Sequence, residues 1–96
     1  MSRQPTHPGA VLREDVLPDL DISVSAFAQG LRISRQSVHS ILNETKPVTP
    51  NIALRLGKFI GNGPGIWLRM QDAYDLWKTE NEISSELKEI KKYKAA

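Results

Sequence analysis

Arg35, Gln36, His39 and Ser40 lie within six residues of one another and form the chemically richest cluster of the 96-residue chain. On a helix their spacing puts them on one side. Arg can pair bidentately with guanine and Gln with adenine in the major groove of DNA, so these four are candidate base-reading residues. Ser34 and Ser37, with the free amides of a helix start, and Lys46 just beyond it are candidates for holding phosphate. The inventory for catalysis is poor by comparison. There is no cysteine, and the only two histidines, His7 and His39, have no carboxylate at ligand spacing on their own helix. Glu44 lies five residues past His39 and off its face. Neither a nucleophile, a metal cluster nor a pair of carboxylates can be assembled, so no catalytic residue, metal or cofactor is expected and the chain reads as a non-enzyme.

The distribution of charge points the same way. Net charge is only +2, but Arg32, Arg35, Lys46, Arg55 and Lys58 face the single acid Glu44 between positions 32 and 58. Most carboxylates lie outside, from Glu14 to Asp21 and from Asp72 to Glu89. A local positive field of this kind suits a polyanion. With 40% apolar and 25% charged residues the composition is that of a globular domain. One domain plus a tail is expected: residues 1–77 as the binding domain and 78–96 as a charged helical tail. The absence of cysteine, of an apolar leader in Met1 to Thr6 and of any membrane-spanning run predicts a cytoplasmic protein.

No stretch alternates with a period of two, whereas helix punctuation recurs, so the predicted class is all-α. A first helix should open at Pro8 behind Thr6 or His7 and stop before Pro18. Ser23 and Ser34 cap a second and a third, burying Phe27, Ala28 and Leu31, then Val38, Ile41 and Leu42. Thr49-Pro50 opens a fourth, with Ile52, Ala53, Leu56, Phe59 and Ile60 inward, and Gly61-Asn62-Gly63 ends it. Pro64 starts a fifth carrying Ile66, Trp67, Met70, Tyr74 and Trp77, a stripe read as core or interface rather than a ligand box. The tail should continue this helix, with Ile83, Leu87 and Ile90 as a narrow stripe.

Val24 to Leu42 holds two short helices separated by about three residues, the spacing of a helix-turn-helix. Ala28 falls where the two would cross most closely. One recognition helix makes few base contacts, so a two-fold homodimer on an inverted-repeat operator is expected, with successive major grooves about 34 Å apart. Trp67, Tyr74, Trp77, Ile83 and Leu87 are the expected dimer residues, away from Arg35.

Residues His7 to Trp77 resemble the HigA-type antitoxins of the Xre/Cro-like helix-turn-helix group. The resemblance rests on HPGAVLRED, SRQSVHSILN, VTPNIALRLGKF and IWLRMQDAYDLW, in order and at family spacing. It implies a five-helix bundle of lambda-repressor-like type with a C-terminal helical extension. It also implies an antitoxin that represses its own operon and neutralises a small basic toxin, an mRNA-cleaving ribonuclease. Two positions depart from the pattern: Arg32 stands where the turn usually has Gly, which calls for a non-glycine residue at positive φ, and Val24 stands where Gln is frequent. A protein-interaction module of the same fold without DNA binding, and a repressor without a toxin, are the alternative readings. An RNA-cleaving enzyme is the weakest.

Overall fold

Each of the first four helices starts at a residue whose side chain accepts a free backbone N–H. His7 does so through Nδ1 from Gly9 (2.9 Å), Ser23 from Ala26 (3.1 Å), Ser34 from Ser37 (3.0 Å) and Thr49 from Ile52 (3.3 Å). These caps satisfy amides that the first turn leaves unpaired, typically at about 1 kcal/mol each. A computed structural model of the chain describes residues 3–94. Residues 1, 2, 95 and 96, the outermost positions of the expected domain and tail, lie outside the described ones.

Helix α1, residues 8–20, joins Pro8–Val11, the π-helical turn Leu12–Val16 and Leu17–Leu20 without interruption. It therefore runs through Pro18 instead of stopping before it. A proline inside a helix lacks an N–H and its ring crowds the carbonyl four residues back. Here the wider turn precedes it: the Leu17 N–H bonds to Leu12 O, five residues back, and the register is already shifted when the chain reaches Pro18. The helix ends at Asp21 in the left-handed region, φ 51°.

Helices α2, Val24–Leu31, and α3, Arg35–Leu42, form the helix-turn-helix. Helix α4, Pro50–Ile60, ends at Gly61 with φ 93°, where a glycine carries no steric penalty. Helix α5 spans Gly65–Glu82 and passes residue 78 without a break. Pro64 is its cap, one residue before the helix, and makes no side-chain capping bond. The tail does not simply prolong α5. The chain turns at Ile83, φ −113° and ψ 22°, and then forms the short helix α6, Ser84–Glu89. Ile83, Ser84 and Ser85 are all weak helix formers, which is where the long helix gives way.

Leu12, Phe27, Ala28, Leu31, Val38, Ile41, Leu42, Ala53, Leu56 and Trp67 close a single core. Phe27 and Trp67 are its largest members, at 1% and 2% exposure. Phe59 was expected inside but is 39% exposed: its ring lies over Gly30 at the edge of the core and meets Phe27 in a T-shaped contact, 5.6 Å between centroids. None of the described helices is long and apolar enough to cross a membrane.

Candidate nucleic-acid interface

Helix α3 is capped at its start by its own Ser34 and held along its inner side and at its end by α1, while α5 anchors the loop that follows. At its start Ser34 Oγ accepts the Ser37 N–H and donates to Ser37 Oγ at 2.8 Å. Gly9 of α1 lies so close beneath it that an added Cβ would sit 1.9 Å from the Ile41 carbonyl oxygen, so only glycine permits this approach. At its end the Arg13 guanidinium of α1 donates to Leu42 O and reaches Glu44 at 3.3 Å. The loop that follows is anchored by Gln71 of α5, buried, whose Oε1 accepts the Val48 N–H at 2.7 Å while its Nε2 donates to Asp75 at 2.9 Å.

The turn between α2 and α3 has its own clamp. Arg32 adopts φ 61° and ψ 42°, the left-handed conformation that its sequence position calls for. Such a conformation costs a non-glycine residue roughly 1–2 kcal/mol. From α4, Arg55 donates to Leu31 O at 2.9 Å and to Arg32 O at 3.3 Å, and is itself held by Asn51 at 2.7 Å. The Ile33 N–H bonds back to Ala28 O at 3.1 Å, and Ala28 is buried at the crossing. Arg13 and Arg55 thus pair with the terminal carbonyls of the two motif helices, a role not assigned to either from sequence. Their partners are distant in the chain, and no local pattern signals them.

What this frame presents outward is the predicted base-reading set. Arg35, Gln36 and His39 are exposed and Ser40 is half-buried at the flank. Asn43, the exposed C-cap one turn beyond His39, extends the same side and was not singled out in advance. None of the side chains of Arg35, Gln36 and His39 bonds to another of the described residues, so all three are open to a ligand. Ser37 and Lys46 stand at the two ends of this face, Lys46 exposed. Ser34 is exposed at the start of this face, where its oxygen caps the helix and its hydroxyl shares a hydrogen bond with that of Ser37. Glu44, the one acid in the basic segment, turns back to Arg13, which lessens its opposition to an approaching anion.

The expected dimer residues divide. Trp67 is core, its indole Nε1 donating to Asn62 Oδ1 at 3.1 Å, and it is closed to any partner. Its place on α5 faces α4, and the sequence stripe mixes this inner side with an outer one. Tyr74 is half-buried edge-on to His7, 4.8 Å between centroids. Trp77 is half-buried, and Ile83 and Leu87 are each 39% exposed. Together with Leu76, 71% exposed, they border an open groove of about 510 Å³ beside Arg3 and Pro5. Leu76 was missed, although it lies seven residues before Ile83 and fourteen before Ile90, a repeat that could have revealed it.

No family model matches the chain. Antitoxin HigA-1 of Vibrio cholerae is 33% identical over 89 residues, 93% of this chain and 84% of the relative. The chain belongs to the HigA antitoxin family. An addiction-module antidote protein of the HigA family from Coxiella burnetii, solved as a structure, superimposes with a TM-score of 0.87 at 36% identity, covering 95% of this chain and 100% of the other. Pseudomonas aeruginosa antitoxin HigA, solved with the higBA promoter, does so with a TM-score of 0.86 at 28% identity, over 92% of this chain and 96% of the other. Within the HigA frame, the two arginine clamps and the Gln71 anchor account for why so short a motif holds one geometry in this chain.

Proposed function

We propose that this HigA-family chain is a DNA-binding antitoxin that represses its own operon from the cytoplasm and neutralises a small, basic, mRNA-cleaving toxin. Helix α3 enters the major groove with Arg35 and Gln36 reading guanine and adenine, and His39 and Ser40 completing the base contacts. The hydroxyl pair of Ser34 and Ser37, the amides of Arg35 and Gln36 and the Lys46 ammonium hold the flanking phosphates. The observation that carries this reading is the exposed trio Arg35, Gln36 and His39, without intrachain partners, on a helix fixed at both ends. A reading face on a rigid element loses little freedom when it binds.

Residues 1–77 supply the binding unit and 78–96 a helical tail that completes a homodimer. Two copies related by a two-fold axis present two recognition helices to an inverted repeat, with half-sites one helical turn apart. Trp77, Ile83 and Leu87 belong to the pairing surface, joined by Leu76 and Ile90, and Tyr74 lies at its margin. Footprinting on the chain's own upstream DNA tests the operator: a protected inverted repeat is expected, and protection without dyad symmetry contradicts the reading. Co-expression with the neighbouring gene tests the toxin: a stable complex is expected, and recovery of only free protein at low salt contradicts it.

A further inference from the structure

A second apolar patch, sharing no residue with the groove beside Leu76, lies on α4. Leu54 is 61% exposed and Phe59 39%, and they border a shallow groove of about 540 Å³ with Gly30 at its floor. The groove is lined only by residues of α2, its turn and α4. Its charged members are Arg32, Arg55 and Lys58, with no acid among them, and α4 itself, Pro50–Ile60, contains no carboxylate. An apolar surface rimmed by positive charge fits an apolar segment rimmed by negative charge.

The chain carries such a segment. Between positions 80 and 89 there are four acids, Glu80, Glu82, Glu86 and Glu89, against the single base Lys88. Through it run Ile83 and Leu87, each 39% exposed, and Ile90 at 71%. Glu86 lies on α6 beside Leu87, and Ile83 and Ile90 flank that helix at its two ends. The tail cannot reach the groove of its own chain while α5 is intact. The 18 residues of α5 span about 27 Å and carry α6 away from the body, in a molecule 58 Å long and only 24 by 21 Å across.

We propose that α6 of each copy docks on the α4 groove of a second copy, so that two arms are exchanged about the two-fold axis. Ile83, Leu87 and Ile90 cover Leu54 and Phe59, while Glu86 faces Lys58. This rests on the dimer proposed above and names the surfaces that form it. The exchange is isologous, each arm meeting the same patch, and it closes at two copies.

Sedimentation velocity of the full chain at micromolar concentration tests the exchange, with circular dichroism to confirm folding. Leu54→Asp, at a position exposed in the monomer, raises the dimer Kd tenfold or more. Lys58→Glu and Glu86→Lys each weaken the dimer, and the double variant recovers most of the loss. Because the natural chain has no cysteine, Lys58→Cys mixed with Glu86→Cys gives a disulfide-linked heterodimer on mild oxidation. A wild-type Kd for Leu54→Asp, alongside a monomeric Leu76→Asp, overturns the exchange and leaves a dimer paired through α5 alone. A wild-type chain that is monomeric throughout overturns the dimer and the exchange together.

Discussion

The helix-turn-helix from Val24 to Leu42 carries two charged residues, Arg32 and Arg35, and the α5–α6 extension from Gly65 to Glu89 carries nine, and only the first is closed by its own chain. In α2 and α3 both helix starts have serine caps and both ends meet an arginine, and every large apolar side chain from Phe27 to Leu42 is buried or half-buried. From residue 78 onward every described side chain is exposed, and α6 has no side-chain cap at its start. Single-chain packing therefore fixes α3, whereas it leaves the tail exposed. A monomer seldom leaves Leu76, Ile83, Leu87 and Ile90 together in water without use for them.

The sharpest break of this contrast compares one residue from each region. Trp67→Ala removes the largest core side chain and should cost about 3–5 kcal/mol, enough to unfold much of the chain. Leu87→Ala should leave the melting temperature of the dilute monomer within a degree or two and change only association. Equal effects in thermal melts would show that the tail is part of the core. Ala28→Leu comes next. Added volume at the α2–α3 crossing should cost about 1–3 kcal/mol and weaken DNA binding with it. A variant with unchanged melting temperature and affinity would remove Ala28 from the crossing.

These differences also mark what could be read in advance. The caps at Ser23, Ser34 and Thr49, the buried Ala28 and the positive φ of Arg32 are local features, set by residue types a few positions apart, and all were legible. Passage of α1 through Pro18 was not, because a π turn has no compositional marker. Trp67 was assigned to the wrong side of α5, since the apolar residues of that helix wrap around most of its circumference and periodicity alone does not choose between core and interface. The clamps of Arg13 and Arg55 and the anchor of Gln71 to Val48 join residues 29, 24 and 23 positions apart. Such pairs become visible only once the helices are packed.

Protonation probes how firmly α1 is fixed beneath the recognition helix. Burial holds the His7 imidazole below its usual pKa of 6.5, while Glu44 and Asp75 pull it upward. The fold therefore prefers the neutral ring whose Nδ1 caps α1. Stability is fully present above pH 6.5 and falls as pH drops below it, because the unfolded chain takes up the proton first. His7→Asn retains a capping acceptor and should flatten the denaturation midpoint between pH 7 and 5. An identical slope in both proteins would place the pH dependence elsewhere. A smaller effect is expected in the turn, where Arg32→Gly relieves the left-handed strain and should raise stability by about 0.5–1 kcal/mol. A loss of stability would mean that the Arg32 side chain contributes more than its backbone costs.

The central claim, that α3 reads bases while its flanks hold phosphates, is tested most directly by the affinity of Arg35→Ala and Lys46→Ala for operator and for scrambled DNA across a salt series. Arg35→Ala should lose about 1–3 kcal/mol on the operator and little on scrambled sequence, narrowing the gap between them. Lys46→Ala should weaken both alike and lower the slope of log affinity against log salt by about one. An Arg35→Ala protein that keeps the full operator preference would contradict the account.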